Sequence, residues 1–442
     1  MILAHGLGGS TDLPLPVTFV LIGGAWALSI SFAVLILAWR TPRLDPTHFW
    51  VRLPSSITRT VDACATRAAV RTAALAFAAF VVWVAISGPQ NASNALPGVF
   101  YVLVWVGVPV ASAVLGPVWR IVSPVRTVHA AVCRSIARDP SRSVTKYPRW
   151  LGAWPAAAGL FAFVWLELAA ADPGSMTAIR LWCCGYLVVM FVGAAVFGDV
   201  WFTNADPFER YSDTVSTLAV LARNRTDRSL VLRNPLDGLP SLPTLPGAVA
   251  VVAVLLGSTA FDSASQLPAW RNLVDDMASN SVASMVWRTA GLSVLIGFVG
   301  ASFWLCARAT GGVDAEQRRR LPGHLVHSLV PIVFGYVLAH YLTYLVEKGQ
   351  ATILLLLDPL DRGWNLLGQQ SWEVTYALSE HPGVVSSIKV LCVLAGHVLG
   401  VAAAHDASLR LLPRGHQLTG QLALMVLMVG FTFGGLFLLF GG

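Results

Sequence analysis

Charge is scarce in this chain. Only 12% of its 442 residues are Asp, Glu, Lys or Arg, and 55% are hydrophobic. Soluble domains carry roughly 25% charged residues, so a water-soluble globular fold is excluded. Long connecting segments are missing too. The longest, 199–245 and 347–382, fall short of ordinary domains of roughly 50–200 residues, and any chemistry must use the membrane segments and their loops. The cysteines are few: Cys64, Cys133, Cys183, Cys184, Cys306 and Cys392. None forms a CxxC pair, which argues against a thiolate metal site or a disulfide framework, and the adjacent Cys183 and Cys184 read as packing. HExxH and the GxSxG nucleophile elbow are absent. The first sixteen residues, MILAHGLGGSTDLPLP, hold no Lys or Arg. A cleaved signal peptide needs a positive n-region, so the first apolar segment is expected to be a retained span.

What the chain has instead is long apolar runs. Ten recur, at about 17–38, 69–87, 98–118, 150–170, 177–198, 246–261, 282–307, 325–346, 383–405 and 420–440. Runs of about 20 apolar residues are the length that crosses a hydrocarbon core, and inside lipid a helix satisfies its own backbone donors and acceptors. The expectation is an all-α integral membrane protein: a single transmembrane domain over 1–442, built as a bundle of about ten helices.

The charges that do occur are unevenly placed. Loops after the odd-numbered runs carry 23 of the 30 Lys and Arg; the other loops and both ends carry Arg271, Lys348 and Arg362. Arg71, Arg180, Arg288 and Lys389 lie within the runs. Lys and Arg gather on the cytoplasmic side of membrane proteins, which puts both termini outside. The net charge of +7 therefore reports topology and not a nucleic-acid partner, since no folded domain gathers the basic residues on one surface. The run at 246–261 is the weakest, short and interrupted by Gly257, Ser258 and Thr259. If it did not cross, Arg318, Arg319 and Arg320 would lie outside, so the charge pattern favours crossing.

A weak internal repeat relates GPVWRIVSPVRTVHAAVCRSIARDPSRS (116–143) to GDVWFTNADPFERYSDTVSTLAVLARNRTDRS (198–229). Each copy follows an apolar run with G-x-V-W and then starts a helix with proline in its first turn. Asp206, Pro207 and Glu209 make a strong helix start. Phe208, Tyr211, Val215 and Leu218 recur at helical spacing, as do Val125, Val128, Val132 and Ile136. Two amphipathic helices on the inner membrane surface, near 124–138 and 206–223, are the expectation; they could dock a partner of a membrane complex. On the outer side, 351–372 has an apolar run too short to span, with Trp364 and Trp372 suited to the headgroup layer. It reads as an interfacial or re-entrant loop, placed to act as a lid.

Ionisable residues inside a membrane cost at least about 2.5 kcal/mol each, so they point to function. The eighth and ninth runs hold most of them. His340 and Glu347 are seven residues apart, about 20° apart around an ideal helix, with Tyr336 and Tyr344 flanking His340 at i−4 and i+4. That builds a polar stripe opening outward, above a kink expected at Pro331 and Gly335. In the ninth run Gly396, Gly400 and Ala404 form a small-xxx-small seam, His397 lies beside it, and His405 and Asp406 fall at the inner boundary. A ladder of 1.5 Å per residue separates His340 from His397 by about 12 Å in height, which disfavours a shared haem; His327 and His405 match better. A divalent metal could draw on His340, Glu347, His381, His5, Asp358 or Asp361, the side chains that zinc and related ions use. Glu167 and Asp172 could join either a metal site or a hydrogen-bonding arrangement.

Four stretches taken together, HGLGGSTDLPLP (5–16), HYLTYLVEKGQ (340–350), DPLDRGWNLLG (358–368) and GHVLGVAAAHD (396–406), resemble a bacterial polytopic membrane family often labelled fenitrothion hydrolase-like. The resemblance covers most of the chain. It implies metal-assisted hydrolysis of an organophosphate ester, in which a metal lowers the pKa of bound water and polarises the phosphoryl oxygen. By that resemblance His5, His340, Glu347, His397, His405 and Asp406 are the expected site. Read from the residues alone, transport, an accessory role in a membrane complex and a structural assembly role stay open.

Overall fold

The computed structural model describes residues 13–275, 281–365, 367–368 and 371–440. It is a helical bundle, and eight of its helices are long and apolar enough to cross a membrane. In chain order the helices that matter here are α1 (Val17–Ala38), α2 (Cys64–Ser87), α3 (Leu96–Leu115), α4 (Pro124–Ser135), α5 (Trp154–Leu168), α6 (Met176–Phe197), α7 (Pro207–Val215), α8 (Ala248–Ala264), α9 (Pro268–Asp275), α10 (Ser281–Arg308), α11 (Ala315–Leu357), α12 (Pro382–Leu411) and α13 (Thr419–Phe440). Each of the ten apolar runs falls on a helix. Two are short: α5 has 15 residues, and α8 has 17 before an 84° turn into α9. At 1.5 Å per residue α5 spans about 22 Å, less than the roughly 30 Å hydrocarbon core.

Apolar side chains point outward wherever a helix lies at the rim. In α1 only Leu21, Gly24, Leu28 and Phe32 are buried, a single stripe at helical spacing. In α2 burial is confined to Val84 and Ala85, while Val70, Phe77 and Trp83 are exposed. Such a surface fits a helix facing lipid. The centre is built by α5, α8, α11 and α12, with Phe163, Phe261, Val393 and Leu329 fully buried.

The seam between α11 and α12 is as close as the small residues permit. A side chain on Gly396 would meet the Pro331 carbonyl at 2.7 Å, one on Gly335 the Cys392 carbonyl at 2.5 Å, and one on Gly400 the Ser328 carbonyl at 2.8 Å. Helices in lipid gain their association from such packing.

Helix α11 is longer than the run at 325–346. It is continuous over 43 residues, with a 3₁₀ turn at Val326–Leu329 and a π-helical turn at Tyr344–Lys348. The apolar residues expected to start an outer lid, up to Leu357, are the last turns of this helix; only the irregular part beyond Asp358, with Trp364 and Trp372 exposed, is a loop. A second π-helical stretch, Val99–Gly107, opens α3, and the two π segments face one another, with Gly107 beside Leu345 and Gly349 beside Val102.

The connectors after α3 and α6 differ from the expected pair of surface helices. The first repeat copy does form α4, but its buried face is Val125, His129 and Cys133, while Val132 and Ile136 are exposed. The second copy is not on the surface. Helix α7 ends at Val215, and Pro207–Ser212 are all buried. The chain continues through a 3₁₀ turn to an edge strand, β2 (Leu221–Arg223), of a small antiparallel sheet in the order β1-β3-β2. Its other strands are β1 (Val51–Arg52) and β3 (Leu230–Leu232), with Val51 and Leu221 both opposite Leu232.

Candidate functional site

Three helices bring ionisable side chains together in the bundle interior. Near its bent end α8 carries Asp262, 2% exposed, and its carboxylate Oδ2 lies 2.7 Å from His340 Nε2 on α11. His340 is 1% exposed. The other ring nitrogen of His340 lies 3.4 Å from Ser263 Oγ, and the Tyr341 hydroxyl donates to Asp262 Oδ2 at 3.2 Å. Glu167, from the end of α5, presents carboxylate oxygens shielded from solvent. It lies within electrostatic range of Asp262 and of the hydroxyls of Tyr101, Tyr211, Tyr341 and Tyr344. The result is two carboxylates, one imidazole and four tyrosines within electrostatic range of one another in the bundle interior.

The backbone explains why these residues meet. Tyr101 comes from one π-helical stretch and Tyr344 from the other. A π turn accommodates an extra residue and rotates everything beyond it around the helix. In α11 this separates Glu347 from His340, although ideal helical spacing puts them on one face. Glu347 is instead buried against the loop between α11 and α12, accepting from Ser379 N at 2.9 Å and Ser379 Oγ at 2.7 Å. It fastens that loop. Tyr336 also leaves the stripe: it packs edge-on against His397, ring centroids 5.9 Å apart, with its hydroxyl over Gly435.

The remaining expected site residues lie apart from this cluster. His397 is fully buried beside the glycine seam; its Nδ1 contacts its own helix at the Val393 carbonyl, 2.9 Å, and its Nε2 has no hydrogen-bond partner among the described residues. His405 Nδ1 lies 2.8 Å from Gln421 Oε1 and its Nε2 2.8 Å from the Trp39 carbonyl, so both ring nitrogens are engaged. Asp406 accepts from Trp39 Nε1, Arg43 N, Leu44 N and Arg410 Nη2. His405 and Asp406 therefore bind the segment after α1 to the C-terminal end of α12. Asp358 caps the turn at Arg362 and Gly363, and His381 is exposed at the start of α12. Asp172 accepts from Gly174 N in an exposed turn. His5 lies outside the described residues. Among the described residues no group of three His, Cys, Asp or Glu is arranged to hold a metal ion.

A second network, partly buried, is built by the internal repeat. Gly116 (φ 93°) and Gly198 (φ 66°) each turn the chain out of a span through the left-handed region that favours glycine. A short helix follows each, and Ser123 and Asp206 then cap α4 and α7, with Pro124 and Pro207 in the first turn. The two copies grip each other. Trp119 Nε1 donates to Asp206 Oδ2 at 3.0 Å, and Tyr186 OH to the same oxygen at 3.1 Å. Arg126 holds Glu209 with two bonds, 2.8 and 3.0 Å, and Arg120 reaches Asp213 at 2.6 Å. Ser112 and Ser212 meet at 2.8 Å. Burial pushes Glu209 up to about 7 against the pull of Arg126, and Asp206 up to about 6. Tyr211 lies about 200° from Glu209 around α7. One face of α7 thus meets the arginines while the other, through Tyr211, reaches Glu167.

Sequence reasoning reached His340 and Glu167 but missed Asp262, Tyr341, Tyr101 and Tyr211. The signal for Asp262 was present: it is the single acidic residue of α8, one position past the apolar run at 246–261. No family model, curated protein or solved structure matches the chain.

Proposed function

We propose that this chain is a proton-translocating membrane transporter of the bacterial plasma membrane, with ten spans and both termini outside. The observation that carries the reading is the enclosed Asp262–His340 pair at 2.7 Å, with side chains 3% and 0% exposed, beside Glu167. Ionisable groups inside a bundle are costly and mark proton relays and ion pathways. Asp262 Oδ2 lies within hydrogen-bond distance of His340 Nε2 and accepts from the Tyr341 hydroxyl, so the carboxylate sits in a hydrogen-bonded chain along which a proton could pass. Glu167 offers a second carboxylate in electrostatic contact with the first.

Two further features support the reading. The α8–α9 pair bends by 84° just beyond Asp262, and interrupted helices form ion and substrate sites in transporters. The two repeat copies follow spans that run in the same direction, and parallel repeats are a transporter architecture. In this reading the Arg126–Glu209 and Arg120–Asp213 pairs close the inner side, and α7 links that closure to Glu167 through Tyr211. The charge bias of the loops supports the orientation.

The test is proton flux into proteoliposomes under a valinomycin-imposed potassium potential, read with a trapped pH dye. Wild-type protein is expected to acidify the lumen faster than protein-free vesicles, and Asp262→Asn to return the rate to the protein-free level. Equal rates in wild-type, variant and protein-free vesicles would overturn the proposal.

A further inference from the structure

Away from the polar cluster, on the inner half of the bundle, a cavity of about 1,220 Å³ opens between α5, α8, α10 and the start of α11. Pockets for small ligands run to roughly 300–1,000 Å³, so this one is large. It exists because α5 and α8 start late. Their N-termini are locked together: Ala153 N donates to the Pro246 carbonyl at 2.7 Å, and Gly247 (φ 82°) starts α8 so close that a side chain there would meet Trp154 N at 2.7 Å. The wall contributed by α10 combines Gly297, Gly300 and Ala301 with Ile296 and Trp304. A side chain on Gly297 would meet nothing within 4 Å, and one on Gly300 would meet only Ala253 Cβ, at 3.2 Å. Gly297, Ala301 and Trp304 are exposed on the bundle surface, so the cavity opens sideways toward the hydrocarbon.

Its inner mouth has a different chemistry. Arg319, Arg320 and His324 of α11 line it. Arg320 pairs with Glu316, while Arg319 has no ion partner among the described residues. Trp154 and Trp304 flank the opening, and Arg308 lies over the Trp304 ring at 4.2 Å. An apolar slot open to lipid with arginines at the cytoplasmic end matches one kind of occupant, a molecule with an acyl chain and an anionic head. Tryptophans and basic residues are the side chains that settle at that depth.

We infer that this cavity is a binding site for an anionic phospholipid, with an acyl chain against Gly297 and Gly300 and the phosphate on Arg319 and Arg320. The inference is independent of the proton-transport reading. The experiment is native mass spectrometry of the full chain in detergent, titrated with dioleoyl phosphatidylglycerol and, separately, dioleoyl phosphatidylcholine. Wild-type protein is expected to retain phosphatidylglycerol preferentially. Arg319→Gln with Arg320→Gln should weaken that binding about thirty-fold, two arginines at about 1 kcal/mol each with about 1.4 kcal/mol per decade. Gly297→Phe, which grows into open space, should abolish it without lowering the melting temperature; Gly297→Leu replaces it if the phenylalanine impairs folding. Equal binding of the two lipids, or binding indifferent to the arginine and Gly297 variants, would overturn the proposal. So would displacement of the lipid by inorganic phosphate alone with Gly297→Phe binding as wild type, which would mark a site for free phosphate.

Discussion

Removing one partner from a buried hydrogen-bonded pair leaves the other group unsatisfied, at a cost of about 1–3 kcal/mol. His340→Ala is therefore expected to lower the melting temperature of detergent-purified protein sharply, and the double change His340→Ala, Asp262→Ala to cost less than the sum of the singles. Additive losses would show that the two groups do not stabilise one another. The same purified samples address the metal-assisted hydrolase chemistry that the family resemblance implies. Elemental analysis is expected to find no stoichiometric metal in wild type; metal present in wild type and lost in His340→Ala would favour the hydrolase. At this scale the sequence was half legible. An imidazole inside an apolar run is conspicuous, so His340 was found. Its partner was not, because Asp262 belongs to another helix, and helical periodicity carries no information across helices. Glu347 was misassigned to the His340 stripe for a local reason: the 100° step holds for an α-helix, and the π turn between the two residues breaks it.

Helix α7 shows how an element can be read correctly and placed wrongly. Its cap and its proline occur as expected, and Phe208, Tyr211 and Val215 lie on it, but it ends before Leu218. An apolar face and a charged face fit a helix lying on lipid headgroups, and they fit equally a helix inserted between an apolar core and two arginines. Only the positions of Arg120 and Arg126 separate the cases. The inserted placement has a pH signature. Glu209 goes from an ordinary value of 4.5 to about 7 on folding, and Asp206 from 3.8 to about 6. Both bind protons more tightly in the folded chain. Their contribution to stability is full below the unfolded values and is lost as pH rises toward about 7. Melting temperature is expected to fall between about pH 4.5 and 7, and Glu209→Gln, neutral throughout, to flatten that slope. An unchanged slope would place Glu209 in water. The α11–α12 seam gives a second test at this scale. Gly396→Leu would press on the Pro331 carbonyl and should destabilise by about 1–3 kcal/mol or more, the range for overpacking. Gly430→Ala, with nothing within 4 Å of the new carbon, should be neutral to stabilising by thermal melting.

For the whole molecule, the proposed orientation predicts which loops a membrane-impermeant maleimide reaches in intact cells. On a cysteine-free background Asn91→Cys should label from outside, and Ser135→Cys only after lysis; the reverse pattern would invert the topology. The sequence by itself determined the solvent of this protein and the existence of its helices. Hydrocarbon demands apolar side chains and internally satisfied backbones over about 20 residues at a time, and that demand is written locally along the chain. The small-residue seam of α12 was legible for the same reason, since close approach requires glycine wherever the partner comes from. The tertiary structure alone decided which polar residues meet. Asp262, Glu167 and His340 come from three helices, the two repeat copies lock through residues about 80 positions apart, and the cavity exists because α5 and α8 start late beside a glycine-lined α10. Each is a relation between distant segments, set by helix length, rotation and packing together.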